Sequence, residues 1–128
     1  MTVDGLGLVA AFLIAHCLGD FSPLSTERML EAKREARASG IFGHALVHGG
    51  LVALVVLVLT DAGLPLAALA AAVEVATHFA IDVARARAGR RWAPLGDVES
   101  RAFWYALGVD QLAHGLVLVG IARLVTAG

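Results

Sequence analysis

The chain has 128 residues, room for one ordinary domain, and 59% of them are apolar against the roughly 45–50% usual in soluble domains. Only 16% are charged, the formal net charge is −1, and mean hydropathy is +0.78. No region combines clustered Lys or Arg with aromatic stacking positions, so a nucleic-acid partner is excluded and lipid is indicated as the solvent.

The first element in chain order is a short apolar span over 6–22, "LGLVAAFLIAHCLGDFS". No basic stretch precedes it, so the expectation is that no signal peptide is cleaved. Cys17 stands alone, which rules out a disulfide framework and leaves it without an assigned role. Next comes "SPLSTERMLEAKREARASG", where a Ser-Pro pair suits a helix start and Gly40 suits a stop. Between them Glu27, Glu31 and Glu35 alternate with Arg28, Lys33, Arg34 and Arg37. The segment is expected to form a short amphipathic helix over about 24–38, lying on the membrane surface as a solvated connector.

Three longer apolar runs follow, over 40–60, 64–84 and 102–126. Each approaches the ~20 residues that cross a ~30 Å hydrocarbon core at 1.5 Å per residue. None alternates with a period of two, and lipid admits only helices or closed barrels. The expected fold is therefore all-α: four transmembrane helices in a bundle, forming a single domain over 1–128. A soluble four-helix bundle is the rival, but "LVALVVLVLT" is apolar on every side and offers water no face.

Basic residues set the orientation. Arg28, Lys33, Arg34 and Arg37 lie between spans one and two, and Arg85, Arg87, Arg90, Arg91 and Arg101 between spans three and four. The link between spans two and three has none. The positive-inside rule places both basic segments in the cytoplasm and both termini outside, with Trp92, Phe103, Trp104 and Tyr105 as an interfacial belt.

Within these spans the histidines are not scattered. His16 pairs with Asp20, His44 with His48, His78 with Glu74 and Asp82, and His114 with Asp110, always four residues apart. Given 11 acids and five histidines in the whole chain, chance places all five so on the order of one time in a thousand. Residues four apart share a helical face. Counted from the cytoplasmic span ends at 1.5 Å per residue, His16 and His78 lie roughly 9 Å deep, and Asp20 and Asp82 about 3 Å. The same count puts His44 and His48 between about 6 and 12 Å, and Asp110 and His114 at roughly 12 to 18 Å. Nine polar groups thus crowd the cytoplasmic half, while the outer half holds almost none.

That crowding is expensive, at about 2.5–3.5 kcal/mol for each Asp on insertion scales, and it requires compensation. A divalent cation would neutralise carboxylates and accept imidazole nitrogens together, which favours Zn, then Fe or Mn, over Mg or Ca. His16, Asp20, His44, His48, His78, Asp82, Asp110 and His114 are the candidate ligands. They exceed one tetrahedral site, so two metals, or one metal with supporting carboxylates, use them better. Glu74 is the deepest acid on its helix, a general base, ligand or proton carrier. Gly43, Gly49, Ala71 and Ala72 read as close-packing positions.

The motifs "AHCLGDF", "HALVHGGL", "THFAIDVAR" and "DQLAHGLVL" resemble, in order and spacing, those of domain of unknown function 3307, a family of small bacterial membrane proteins. Family members continue the first motif with Gln, where this chain has Ser22 and Pro23. The resemblance implies a bacterial inner-membrane protein and no assigned activity. By style alone, the pattern is also similar to membrane-bound metal-dependent hydrolases.

Several functions fit the sequence. The leading one is a membrane metalloenzyme hydrolysing a lipid or other membrane-soluble substrate from the cytoplasmic side, with a metal to activate water. A metal-ion or proton carrier is the alternative, although the polar layer stops halfway and a homo-oligomer would have to supply the rest. A haem-binding electron carrier conflicts with the acids beside each histidine. A purely structural polar network is the remaining reading.

Overall fold

The computed structural model describes residues 3–127 and contains five α-helices, with no strand among the described residues. Helix α1 runs Gly5–Phe21 and is capped by Asp4, whose carboxylate accepts a hydrogen bond from the Gly7 amide at 2.7 Å. Helices α3 (Ala38–Leu59), α4 (Gly63–Arg91) and α5 (Arg101–Ala127) follow the three longer apolar runs. All three are long and apolar enough to cross a membrane. Helix α1 is as apolar but has 17 residues, which at 1.5 Å each span about 25 Å.

The surface helix is shorter than expected. Helix α2 covers Glu27–Arg34, not 24–38, because Thr26 takes the cap position and its hydroxyl accepts from the Met29 amide at 3.3 Å. The Ser-Pro pair forms the preceding turn instead, with the Ser25 amide bonded to the Ser22 carbonyl at 3.0 Å. Gly40 is likewise not a helix stop. It lies inside α3, where a β-carbon would come within 2.2 Å of Ala32 Cβ, so its missing side chain lets α2 cross α3 closely. The reversal between α2 and α3 is made by Ala36, at φ +53°. The Arg37 amide bonds to the Ala32 carbonyl at 2.8 Å and the Ala36 amide to the Lys33 carbonyl at 3.2 Å, the paired pattern that closes helices with a left-handed residue.

Helix α4 overruns its expected end at 84. Its last turns carry Arg85, Arg87, Arg90 and Arg91, placed by sequence in a loop. Ala and Arg are strong helix formers, and cations near a helix C-terminus interact favourably with its dipole, so the helix continues beyond the apolar run. A 3₁₀ turn at Ala93–Leu95 then leads towards α5, where the Ser100 hydroxyl accepts from the Ala102 amide at 3.2 Å.

Helices α3 and α4, joined by three residues, pack together along their length. Helix α1 packs on α3 and α5, α4 packs on α5, and α2 lies across α3 and α4. Gly49 permits the α3–α4 approach: a β-carbon there would meet Val75 Cγ2 at 2.4 Å and the Ala71 carbonyl at 3.1 Å. On α4 the buried positions are Ala67, Ala70, Glu74, His78 and Asp82, one face at three- and four-residue spacing.

The interior is divided lengthwise. One end is an apolar core of Leu8 and Phe12 from α1, Val52 and Val56 from α3, Ala67 and Ala70 from α4, and Leu118, Ile121, Ala122 and Val125 from α5. The other end is polar. The exterior reverses the usual order, with Leu6, Phe21, Leu64, Val109 and Leu116 at least 62% exposed while His44, Glu74 and His78 are at most 1% exposed. An apolar outside around a polar inside is what a hydrocarbon solvent selects.

Candidate metal centre

The helices bring all nine sequence-predicted groups into one cluster. Asp20, on the last turn of α1, is its hub: its carboxylate lies 3.1 Å from His44 Nε2, 3.2 Å from His48 Nε2 and 3.3 Å from His16 Nε2. Asp82 is the second hub, 3.5 Å from His78 Nε2, 3.6 Å from His114 Nε2 and 3.9 Å from His44 Nε2. Glu74 Oε1 holds His78 Nδ1 at 3.1 Å from one turn below. The rings crowd each other as well. His48 stacks on His78 with centroids 3.9 Å apart, and His16 lies 4.8 Å from His48 and 5.0 Å from His114.

Proximity does not equal satisfaction. Both ring nitrogens of His16, His44 Nδ1, His48 Nε2, His78 Nε2, Asp82 Oδ2 and Asp110 Oδ1 are buried without a hydrogen-bond partner. Several of these atoms do have ionisable neighbours, Asp20 at 3.3 Å from His16 Nε2 and 3.2 Å from His48 Nε2, Asp82 at 3.5 Å from His78 Nε2, and Lys33 at 2.9 Å from Asp82 Oδ2, yet without hydrogen-bond alignment. An unpartnered buried polar atom carries a desolvation penalty of about 1–3 kcal/mol, so a cluster of them calls for a further partner.

The donor set suits a cation. Three overlapping groups have ligand atoms within 4.8 Å of one another: His16, His48, Glu74 and His78; Asp20, His44, His48 and His78; and His78, Asp82 and His114. Each could hold a metal ion, and mixed imidazole and carboxylate donors match borderline divalent metals. The groups include Glu74, expected mainly as a proton-moving residue, among the donors. Asp110 falls outside all three. It lies 3.9 Å from His114 and 3.4 Å from Gln111 Nε2, at the edge of the cluster.

The depth expected for α5 needs correction. Counting from the hydropathy edges puts His114 and Asp110 deeper than Asp82, yet His114 reaches Asp82 and its ring lies 4.2 Å from that of His78, tilted by 43°. The reason is the overrun of α4. Asp82 stands nine residues before Arg91 and Asp110 nine after Arg101, so both lie about 13.5 Å from their helix ends.

Three contributors escaped sequence reasoning. Lys33, taken as an orienting charge of the surface helix, extends inward to Asp82. Gln111 donates to Asp20 Oδ2 at 3.2 Å; its place beside Asp110 in "DQLAH" was the available signal. Gly19 is buried against His48, and a β-carbon there would lie 2.5 Å from the ring.

The fold and site define an all-helical protein with membrane-length helices and a buried His/Asp/Glu cluster able to hold a metal ion. Residues 8–127, nearly the whole chain, match the family described as Protein of unknown function (DUF3307), and the chain belongs to that family. No curated protein and no solved structure matches it.

Proposed function

We propose that this protein is a four-span inner-membrane bundle, α1 included, that houses a divalent-metal centre near its cytoplasmic face and hydrolyses a membrane-soluble substrate there. One observation carries the reading: buried imidazole nitrogens and carboxylate oxygens converge without hydrogen-bond partners in a single cluster. Among the described residues, the four carboxylates Asp20, Glu74, Asp82 and Asp110 face only one ammonium, Lys33, within 4 Å. Further positive charge is needed to keep them buried.

A bound Zn, Fe or Mn ion would supply Lewis-acid charge and make water a nucleophile at neutral pH. The protein's residues supply the rest. His16, His48 and His78 present nitrogens from three helices, and Asp20 gathers His44 and His48 from α3. Glu74 lies behind His78, away from the cavity at the mouth, and fixes that ring by accepting from Nδ1 while Nε2 faces Asp82. Asp110, with one oxygen unpartnered and its side chain lining the mouth cavity, is the group placed to accept a proton from water.

The apolar core disfavours a carrier. Beyond Glu74 the interior continues as Ala70, Ala67, Val52 and Leu118, with no polar relay among these core residues. Element analysis of detergent-purified protein tests the metal. Stoichiometric Zn, Fe or Mn, lost in His16→Ala and His78→Ala, is the expected result; a Soret band, or no metal in the wild type, refutes it. Hydrolysis against ion flux in sealed vesicles then separates enzyme from carrier.

A further inference from the structure

Two cavities meet at the rim of the cluster. The first, about 600 Å³, has Asp20, Asp82 and Asp110 at its base and Lys33, Arg34, Arg85 and Arg90 among its walls. The second, about 520 Å³, is a groove between α4 and α5, lined almost wholly by apolar side chains. Alanines carve it, with Ala84 and Ala88 on α4 and Ala102, Ala106 and Ala113 on α5. Arg85, Leu95 and Asp110 line both, so a cationic chamber and an apolar trough share a wall.

Arg85 is held at that junction. One Nη donates to the Leu95 carbonyl at 2.8 Å, and the guanidinium carbon sits 5.6 Å over the Phe103 ring. A guanidinium has five N–H donors in a planar fork, so most remain for a ligand. Asp110 lines the same junction with its side chain 10% exposed, while its unpartnered Oδ1 is buried on the His114 side, 3.9 Å from that ring's Nε2. Three carboxylates at the base would repel an anion on their own. The proposed divalent cation together with Lys33, already paired with Asp82, balances their three charges, and Arg34, Arg85 and Arg90 become the excess charge.

Resting on that metal-centre reading, we infer that the ligand is a lipid with a phosphate headgroup. The headgroup lies in the chamber against Arg85 and Arg90, and the hydrocarbon chain lies in the α4–α5 groove. Charge complementarity selects the phosphate, for which bidentate arginine contacts are strong. Continuity with an apolar trough on the exterior of two membrane-length helices selects a lipid over a free phosphate.

The test is native mass spectrometry of the detergent-purified, metal-loaded protein with dioleoylphosphatidic acid, dioleoylglycerol and glycerol phosphate as separate probes. Phosphatidic acid is expected to bind at least about tenfold more tightly than either of the others, since loss of one charge-assisted contact alone changes affinity by about that factor. Arg85→Gln should abolish the preference over dioleoylglycerol. Ala106→Trp, which fills the groove away from the cluster, should weaken both lipids without changing metal content. Equal binding of the two lipids, full competition by glycerol phosphate, or an unaltered preference in Arg85→Gln overturns the assignment. Metal content is measured on the same samples. Protein that keeps its metal but binds both lipids alike sinks only the lipid assignment, whereas wild-type protein without metal sinks both.

Discussion

Adding one methyl group at Gly19 should separate the fold from the metal centre. A β-carbon at this position would lie 2.5 Å from His48 Cε1, 2.7 Å from Nε2 and 3.0 Å from Nδ1. Ordinary contact needs about 3.5–4 Å, so the ring must retreat by about 1 Å. It has little room: His78 stacks on it at 3.9 Å, and His44 and His16 close its sides at 4.7 and 4.8 Å. Overpacking of this kind costs about 1–3 kcal/mol, while replacing Gly by Ala in a helix returns about 1 kcal/mol. The net loss of stability is then about 0–2 kcal/mol, which a folded protein of ordinary stability survives. Metal sites tolerate ligand displacements of only about 0.2 Å, so affinity should fall by at least about 10–100-fold. Gly50→Ala is the control, since a β-carbon there meets nothing within 4 Å. Chelator competition followed by element analysis reads affinity, and thermal unfolding in detergent reads the fold. Gly19→Ala with wild-type metal affinity and melting temperature would refute the claim that His48 is pinned against α1 as a ligand.

Two further outcomes follow from single contacts. Lys33→Gln removes the ammonium 2.9 Å from Asp82, and the metal-free protein should lose about 1–3 kcal/mol, as when one partner of a buried charged contact is deleted. Added Zn should then raise its melting temperature by more than it raises that of the wild type; an equal or smaller rise would show that Lys33 and the cation do not share Asp82. Ala36→Gly relieves a left-handed residue at φ +53° and should stabilise the protein by about 1 kcal/mol in denaturant or thermal unfolding, where no gain would argue against this turn geometry.

The helices were readable because each long apolar run is bounded by polar or turn-forming residues, and their observed ends agree within two residues except at α4. There the apolar signal stops at Ala84 while helical propensity does not, so a hydropathy boundary understates the helix by seven residues. Thr26 was readable in principle as a cap, but Ser22 and Pro23 offered a stronger start signal four residues earlier. The cluster was visible because four-residue spacing survives any arrangement of helices. What sequence could not supply was lateral packing: that Asp20 faces α3, that Lys33 leans inward, and that Gly19 yields its space to His48. Relative height was misjudged for α5 because it was counted from hydropathy edges, and an apolar run and a helix need not end together.

Five of the nine groups, His44, His48, Glu74, His78 and Asp82, belong to a single hairpin, because only Thr60, Asp61 and Ala62 separate α3 from α4. Such a hairpin on its own would expose three imidazoles and two acids to hydrocarbon, an unstable arrangement. It acquires Asp20, His16, Asp110 and His114 only when α1 and α5 arrive. Assembly is thus directional: the central pair poses a polar demand, and the outer helices answer it.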